Sequence, residues 1–255
     1  MNLINYNETS HGIAEIHLNN PPVNALTYRC VEEFRSHLDK INRNEEIRVV
    51  LIRGKGNIFS AGGDLSNDKS HDVPASAKAG DADVKELIDE IATCTKPVVA
   101  GIRGHCVGGG LELALSCDIR IASESARFVA PGVNLGLVGS TARLVRAIGF
   151  SRASSMVLTG EAVDAVTAER WGLVTGVYPD YIFPAACLAL VQRIASRAPL
   201  SVRAGRELLN RAWDLPFDEV VAHERAAFSR LLHTEDHKAA LQAFRAKEQP
   251  VFAGK

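Results

Sequence analysis

Gly104-His105-Cys106-Val107-Gly108-Gly109-Gly110-Leu111-Glu112 follows a buried apolar run at residues 97–102 and leads into a helix that extends to about Ser116. Three consecutive glycines at a helix start cost about 1 kcal/mol each relative to alanine. Tight packing of helix on strand would justify one of them. Three point to a backbone that must be approached by something else, since glycine leaves no Cβ in the way. A helix start also offers unpaired N–H groups and a partial positive charge. Within this helix, Leu111-Glu112-Leu113-Ala114-Leu115 is apolar nearly all round except for Glu112. A carboxylate in such a helix needs a partner or a task. Lying in the first turn, Glu112 is stabilised by the helix N-terminus and is placed to move a proton at an adjacent carbon.

A second glycine-bearing segment, Phe59-Ser60-Ala61-Gly62-Gly63-Asp64-Leu65, also follows a buried strand, read over residues 47–52. Two such segments can each present an N–H to one oxygen, which is what stabilising an oxyanion requires. The order around them alternates strand and helix. Ile13–Leu18 is a strand ending in Asn19-Asn20-Pro21-Pro22, and Val31, Phe34, Leu38 and Ile41 recur at helical spacing behind a Thr27 N-cap. Residues 66–81 read as a polar loop, 84–91 as a helix, and 119–122 and Arg127–Val129 as short strands. Beyond about Ser140 helices dominate, over 163–171, 183–197, 201–213 and 218–232, and a last one is capped by Thr234. The pattern predicts an α/β core followed by a helical tail.

Bulk composition excludes several classes. The 255 residues are 46% hydrophobic and 23% charged, which fits one globular unit. Lys+Arg (29) and Asp+Glu (30) nearly cancel, so no nucleic-acid or anionic-membrane footprint is expected. The opening Met1-Asn2-Leu3-Ile4-Asn5-Tyr6 lacks the features of a secretion signal, and no apolar run is long enough for a membrane span. Five dispersed cysteines without a CxxC pair predict buried thiols in a reducing cytoplasm and no zinc site. No metal-ligand spacing occurs, and the glycine spacing does not meet the dinucleotide-binding fingerprint.

Together these segments resemble the crotonase superfamily, the enoyl-CoA hydratase/isomerase family, over nearly the whole chain. The resemblance is carried by Asn20-Pro21-Pro22-Val23-Asn24-Ala25-Leu26, the two glycine-bearing segments, Lys96-Pro97-Val98-Val99-Ala100, and Asn134-Leu135-Gly136-Leu137. Leu158-Thr159-Gly160-Glu161 and Trp171-Gly172-Leu173-Val174 extend it. It implies a spiral of ββα repeats (residues 1–195) with a C-terminal helical trimerisation subdomain (196–255), assembled as a homotrimer or homohexamer. It implies an acyl-CoA substrate and no separate cofactor, coenzyme A being part of that substrate. The thioester oxygen would sit between the N–H groups of Gly63 and Gly109, with Glu112 as acid/base. Val23, Ala25, Ala61, Asp64 and Leu65 would contact coenzyme A; read without the resemblance, Asp64 is a turn residue and helix cap. His105, Pro131, Gly132 and Ser140 are candidates for the acyl pocket, with Arg143 nearby. The family's second glutamate is replaced by Gly132 in Phe128-Val129-Ala130-Pro131-Gly132, and the following segment reads Val138-Gly139-Ser140-Thr141-Ala142-Arg143. The departure leads to the expectation that Gly132 opens room for a bulkier acyl group, or that the substrate brings its own proton-handling group. Alternatives within the fold are a decarboxylase, a C–C hydrolase or a catalytically idle CoA-binding protein.

Overall fold

The computed structural model describes residues 2–9, 11–64 and 80–255, with the side chains of 80–83 set aside. The chain opens with β1 (Ile4–Glu8), β2 (Ile13–Leu18), α1 (Tyr28–Arg43), β3 (Val49–Gly54) and α2 (Gly80–Ala92). It then passes through β4 (Val98–Ile102), β5 (His105–Val107), α3 (Gly109–Ser116), β6 (Ile119–Ser123) and β7 (Arg127–Val129). A 3-10 turn (Gly132–Leu135) precedes α4 (Thr141–Ile148) and α5 (Phe150–Thr159). After β8 (Val163–Asp164), α6 (Ala165–Trp171), β9 (Val177–Tyr178) and α7 (Phe183–Ala195), the chain ends in α8 (Pro199–Arg211), α9 (Phe217–Leu231) and α10 (Glu235–Ala246).

The strands form a large sheet, β1-β2-β3-β4-β6-β9, and a small one, β5-β7-β8. Twice the chain steps from the large sheet to the small one and then into helical structure: β4-β5-α3, and β6-β7 followed by the 3-10 turn and α4. This is the expected ββα spiral. The large sheet is parallel apart from the β1–β2 pair. Its β3 is buried on both faces. Val50 and Ile52 join the main core with Phe34, Leu38 and Leu111, while Val49 and Leu51 face Phe183, Cys187 and Val191 of α7. A strand covered on both sides reads as an unbroken apolar run because each face needs its own hydrophobes.

The α1 helix buries Val31, Phe34, Leu38 and Ile41, and the Thr27 side chain accepts from the Cys30 N–H. Its apolar stripe and its cap are thus both as read. The expected helix over 163–171 begins later. Residues 163 and 164 pair with β7 as β8, and the Asp164 carboxylate caps α6 by accepting from the Thr167 N–H at 2.7 Å. The edge strand β1 escaped the sequence reading because its polar, half-exposed Ile-Asn-Tyr-Asn-Glu lacks a buried strand's signature. Serine-rich α5 escaped as a separate helix for a similar reason, serine being a weak helix former. The stretch read as a loop to residue 81 lies mostly outside the described residues, but its last two residues already belong to α2. Among the described residues, no helix is long and apolar enough to cross a membrane. All five cysteines are free and buried, and burial pushes Cys30 up to about 12 and Cys187 up to about 11.

Candidate active site

Three segments meet where β3 and β4 end. The first, 20–26, is folded around Asn24, a buried residue with φ +51°. Its side-chain amide donates to the carbonyls of Lys55 (3.1 Å), Ile58 (2.9 Å) and Phe59 (3.3 Å), and its oxygen accepts from the Asn20 N–H at 3.1 Å. The Ser60 hydroxyl donates to the Asn24 carbonyl at 2.7 Å and accepts from the Gly62 N–H at 3.1 Å. Ala61 N–H donates to Val23 O, and Leu26 N–H to Gly62 O. These bonds staple the first segment onto the second. Sequence reasoning quoted Asn24 and Ser60 but gave neither a role; the signal was an asparagine beside a buried turn, a residue type that tolerates positive φ.

The second segment is pressed against the start of α3. A Cβ on Gly62 would stand 2.7 Å from Val107 O and 2.8 Å from Gly109 N; one on Gly109 would stand 3.2 Å from Gly63 N; one on Gly110 would stand 2.7 Å from the Ser60 carbonyl. The glycines are therefore fixed by two chains running in contact, and Gly108 adds a positive φ of 52° at the N-cap. Among the described residues, the N–H groups of Gly63 and Gly109 donate to no acceptor. They lie side by side at a helix start, where unpaired donors carry partial positive charge.

Glu112 stands in the first turn of α3, its N–H donating to Gly108 O at 3.0 Å. Its half-buried carboxylate lies 3.5 Å from Arg143 Nε, and Arg143 also pairs with Asp89 at 2.6 Å. The base of α3 is held rigidly. Arg120, half-buried beneath it, donates to Cys117 O (2.7 Å) and Leu173 O (2.8 Å). Asp118 accepts from the Val98 N–H and from Arg206, both at 2.7 Å, a structural task.

The remaining candidates divide. Pro131 packs 3.6 Å from where a Cβ of Gly108 would be, beside the α3 start. Ser140 is buried with φ +61° and opens α4, its carbonyl accepting from Leu144. His105 turns its side chain to solvent while its carbonyl accepts from Phe59 and Ser60 N–H, so its backbone does the joining. Val23 and Ala25 flank Asn24; Ala61 and Asp64 flank the paired glycines; Leu65 lies outside the described residues. The expectation for Gly132 needs correction. A Cβ there would stand 2.8 Å from the Leu137 carbonyl, because the turn that follows folds back and Leu137 N–H bonds to Gly132 O at 2.8 Å. The glycine is filled around by backbone and opens no room. Among the described residues, no group of three His, Cys, Asp or Glu side chains is arranged to hold a metal.

A family model described as enoyl-CoA hydratase/isomerase matches residues 8–255, and the chain belongs to that family. It is 34% identical to the 2,3-dehydroadipyl-CoA hydratase of Escherichia coli (strain K12), over 93% of this chain and 94% of the other. Among solved structures, an enoyl-CoA hydratase from Bacillus anthracis superposes with a TM-score of 0.94 at 30% identity, covering 99% of this chain and 100% of that one. A structure from Mycobacterium abscessus, titled enoyl-CoA hydratase/isomerase, gives 0.93 at 34% identity with 99% and 100% coverage. The fold is the crotonase fold.

Proposed function

We propose that this protein forms and quenches the enolate of an acyl-CoA thioester, in a reaction of the enoyl-CoA hydratase/isomerase type. The observation that carries the reading is the pair of unpartnered N–H groups on Gly63 and Gly109 beside the Glu112 carboxylate. The thioester oxygen accepts from both N–H groups as negative charge develops on it, an interaction worth roughly 10² to 10³-fold per donor. Val23, Ala25, Ala61 and Asp64 flank the coenzyme A moiety. In hydration, Glu112 accepts a proton from the water whose oxygen adds at Cβ, and a proton returns to Cα as the enolate collapses. In isomerisation, the same carboxylate takes a proton from one carbon and returns it to another. The second course needs one carboxylate only, which suits a chain with Gly132 where hydratases carry another. That same feature keeps a decarboxylase or C–C hydrolase as the second reading, since these rely on the oxyanion site more than on a second acid. The exposed helices α8–α10 join copies of the chain into a trimer or hexamer.

Crotonyl-CoA hydration, followed by loss of enoyl absorbance, tests the first course. Exchange of the α-protons of butyryl-CoA with deuterated water tests enolate formation whatever the product. Glu112→Gln is expected to lose about 10² to 10⁴-fold in either assay while still binding butyryl-CoA. Exchange without hydration identifies an isomerase or another enolate enzyme; neither activity in a protein that binds CoA sinks the reading.

A further inference from the structure

A groove of about 1,040 Å³ runs between the end of α3, α4 and α8. Leu115, Ala147, Leu209 and Trp213 give it apolar walls, and Arg143 and Arg146 of α4 line one side. Arg143 is the residue whose Nε lies 3.5 Å from Glu112, so the groove starts one side chain away from the proposed acid/base. Arg146 follows one turn later, about 5.4 Å further along the helix.

The cations of this groove are not equivalent. Arg206 is committed to Asp118 and to the carbonyls of Ile91, Ala92 and Cys94, and is nearly buried. Arg143 and Arg146 are instead matched by Asp89 and Asp214, whose side chains are 73% and 59% exposed. Exposed ion pairs are weak, and their aspartates can return to water at little cost. A carboxylate carried on an already bound substrate arrives at high effective concentration and exchanges for them. The guanidinium fork suits a carboxylate. Arg143 also stands between the incoming anion and Glu112, so the two negative groups do not meet unshielded.

We propose that this groove receives the far end of the acyl chain, and that Arg143 and Arg146 select acyl-CoA thioesters ending in a second carboxylate. The inference rests on the acyl-CoA reading of the site, and its test separates the two. The full chain is titrated calorimetrically with glutaryl-CoA and with valeryl-CoA, which have equal carbon number and differ in the terminal carboxylate. Glutaryl-CoA is expected to bind about 10- to 100-fold more tightly, as one charge-assisted contact is worth. The preference should shrink at high salt and fall towards unity in Arg143→Gln or Arg146→Gln, with Arg143→Lys retaining part of it. Equal affinity for the two thioesters overturns the selection but leaves the acyl-CoA site standing. A preference that survives in both variants overturns the assignment to α4. Binding of neither thioester, nor of CoA itself, overturns the acyl-CoA reading and this inference with it.

Discussion

Glu112 is a carboxylate with two positive neighbours: the start of its own helix behind it and the Arg143 guanidinium 3.5 Å in front. Both orient the carboxylate. Gly132 bears on the same point. Restoring a glutamate there is an obvious experiment for anyone seeking a stronger hydratase, but the backbone around it forbids a simple gain. With Leu137 O 2.8 Å from the new Cβ, Gly132→Glu must shift the 3-10 turn. Crotonyl-CoA hydration is expected not to rise, and urea unfolding should show a loss of roughly 1–3 kcal/mol. A stable, faster variant would show that the turn yields freely.

At the scale of elements, the site is a junction of loops rather than a property of any one of them. The 20–26 and 55–63 segments are tied by the three hydrogen bonds donated by the Asn24 side-chain amide and by Ser60. Asn24→Ala removes buried hydrogen bonds and leaves carbonyls unpaired, at about 2–4 kcal/mol. Denaturant titration should show that loss, and affinity for CoA should weaken with it, because the loop that bears Val23 and Ala25 is released from the one that bears Gly63. Unchanged CoA affinity in a destabilised Asn24→Ala protein would separate this staple from the binding site. The α3 helix is anchored from below by Arg120 and Asp118, so its glycine-rich start is fixed independently of the staple.

Across the whole molecule, burial is uneven. The sheet is covered on both faces, but α8 buries no residue fully; Leu209 and Trp213 line the groove, and Phe217, Phe228 and Phe244 face solvent in a single chain. So much exposed apolar surface on adjacent helices is the mark of an interface. Light scattering coupled to gel filtration is expected to give a trimer or hexamer, and Phe217→Glu with Phe244→Glu to shift it towards monomer. Stability should also respond to pH through His17 of β2. Burial, and then the Arg53 cation, hold its pKa below the usual 6.5, against the opposing pull of Glu15 at 3.6 Å; Lys55 acts in the same direction as Arg53. A histidine with a depressed folded pKa contributes its full stability above the unfolded value, and that contribution is lost as the pH falls through the folded value. Urea midpoints should therefore drop between about pH 7.5 and about pH 5, and His17→Gln should flatten part of that drop.

Periodicity and glycine placement made the α/β core, the α1 stripe with its Thr27 cap, β3, α3 and the position of Glu112 legible in the sequence alone, because these depend on local spacing and on whether a face is apolar. Family resemblance supplied the pairing of Gly63 with Gly109. Three things were decided only in the folded chain. Arg143 reaches Glu112 from a helix 31 residues on. Asn24 spends its amide on carbonyls more than thirty residues away. Gly132 is closed in by a turn folding back on it. Each is a contact between segments distant along the chain, and no local pattern encodes the geometry at which such segments meet.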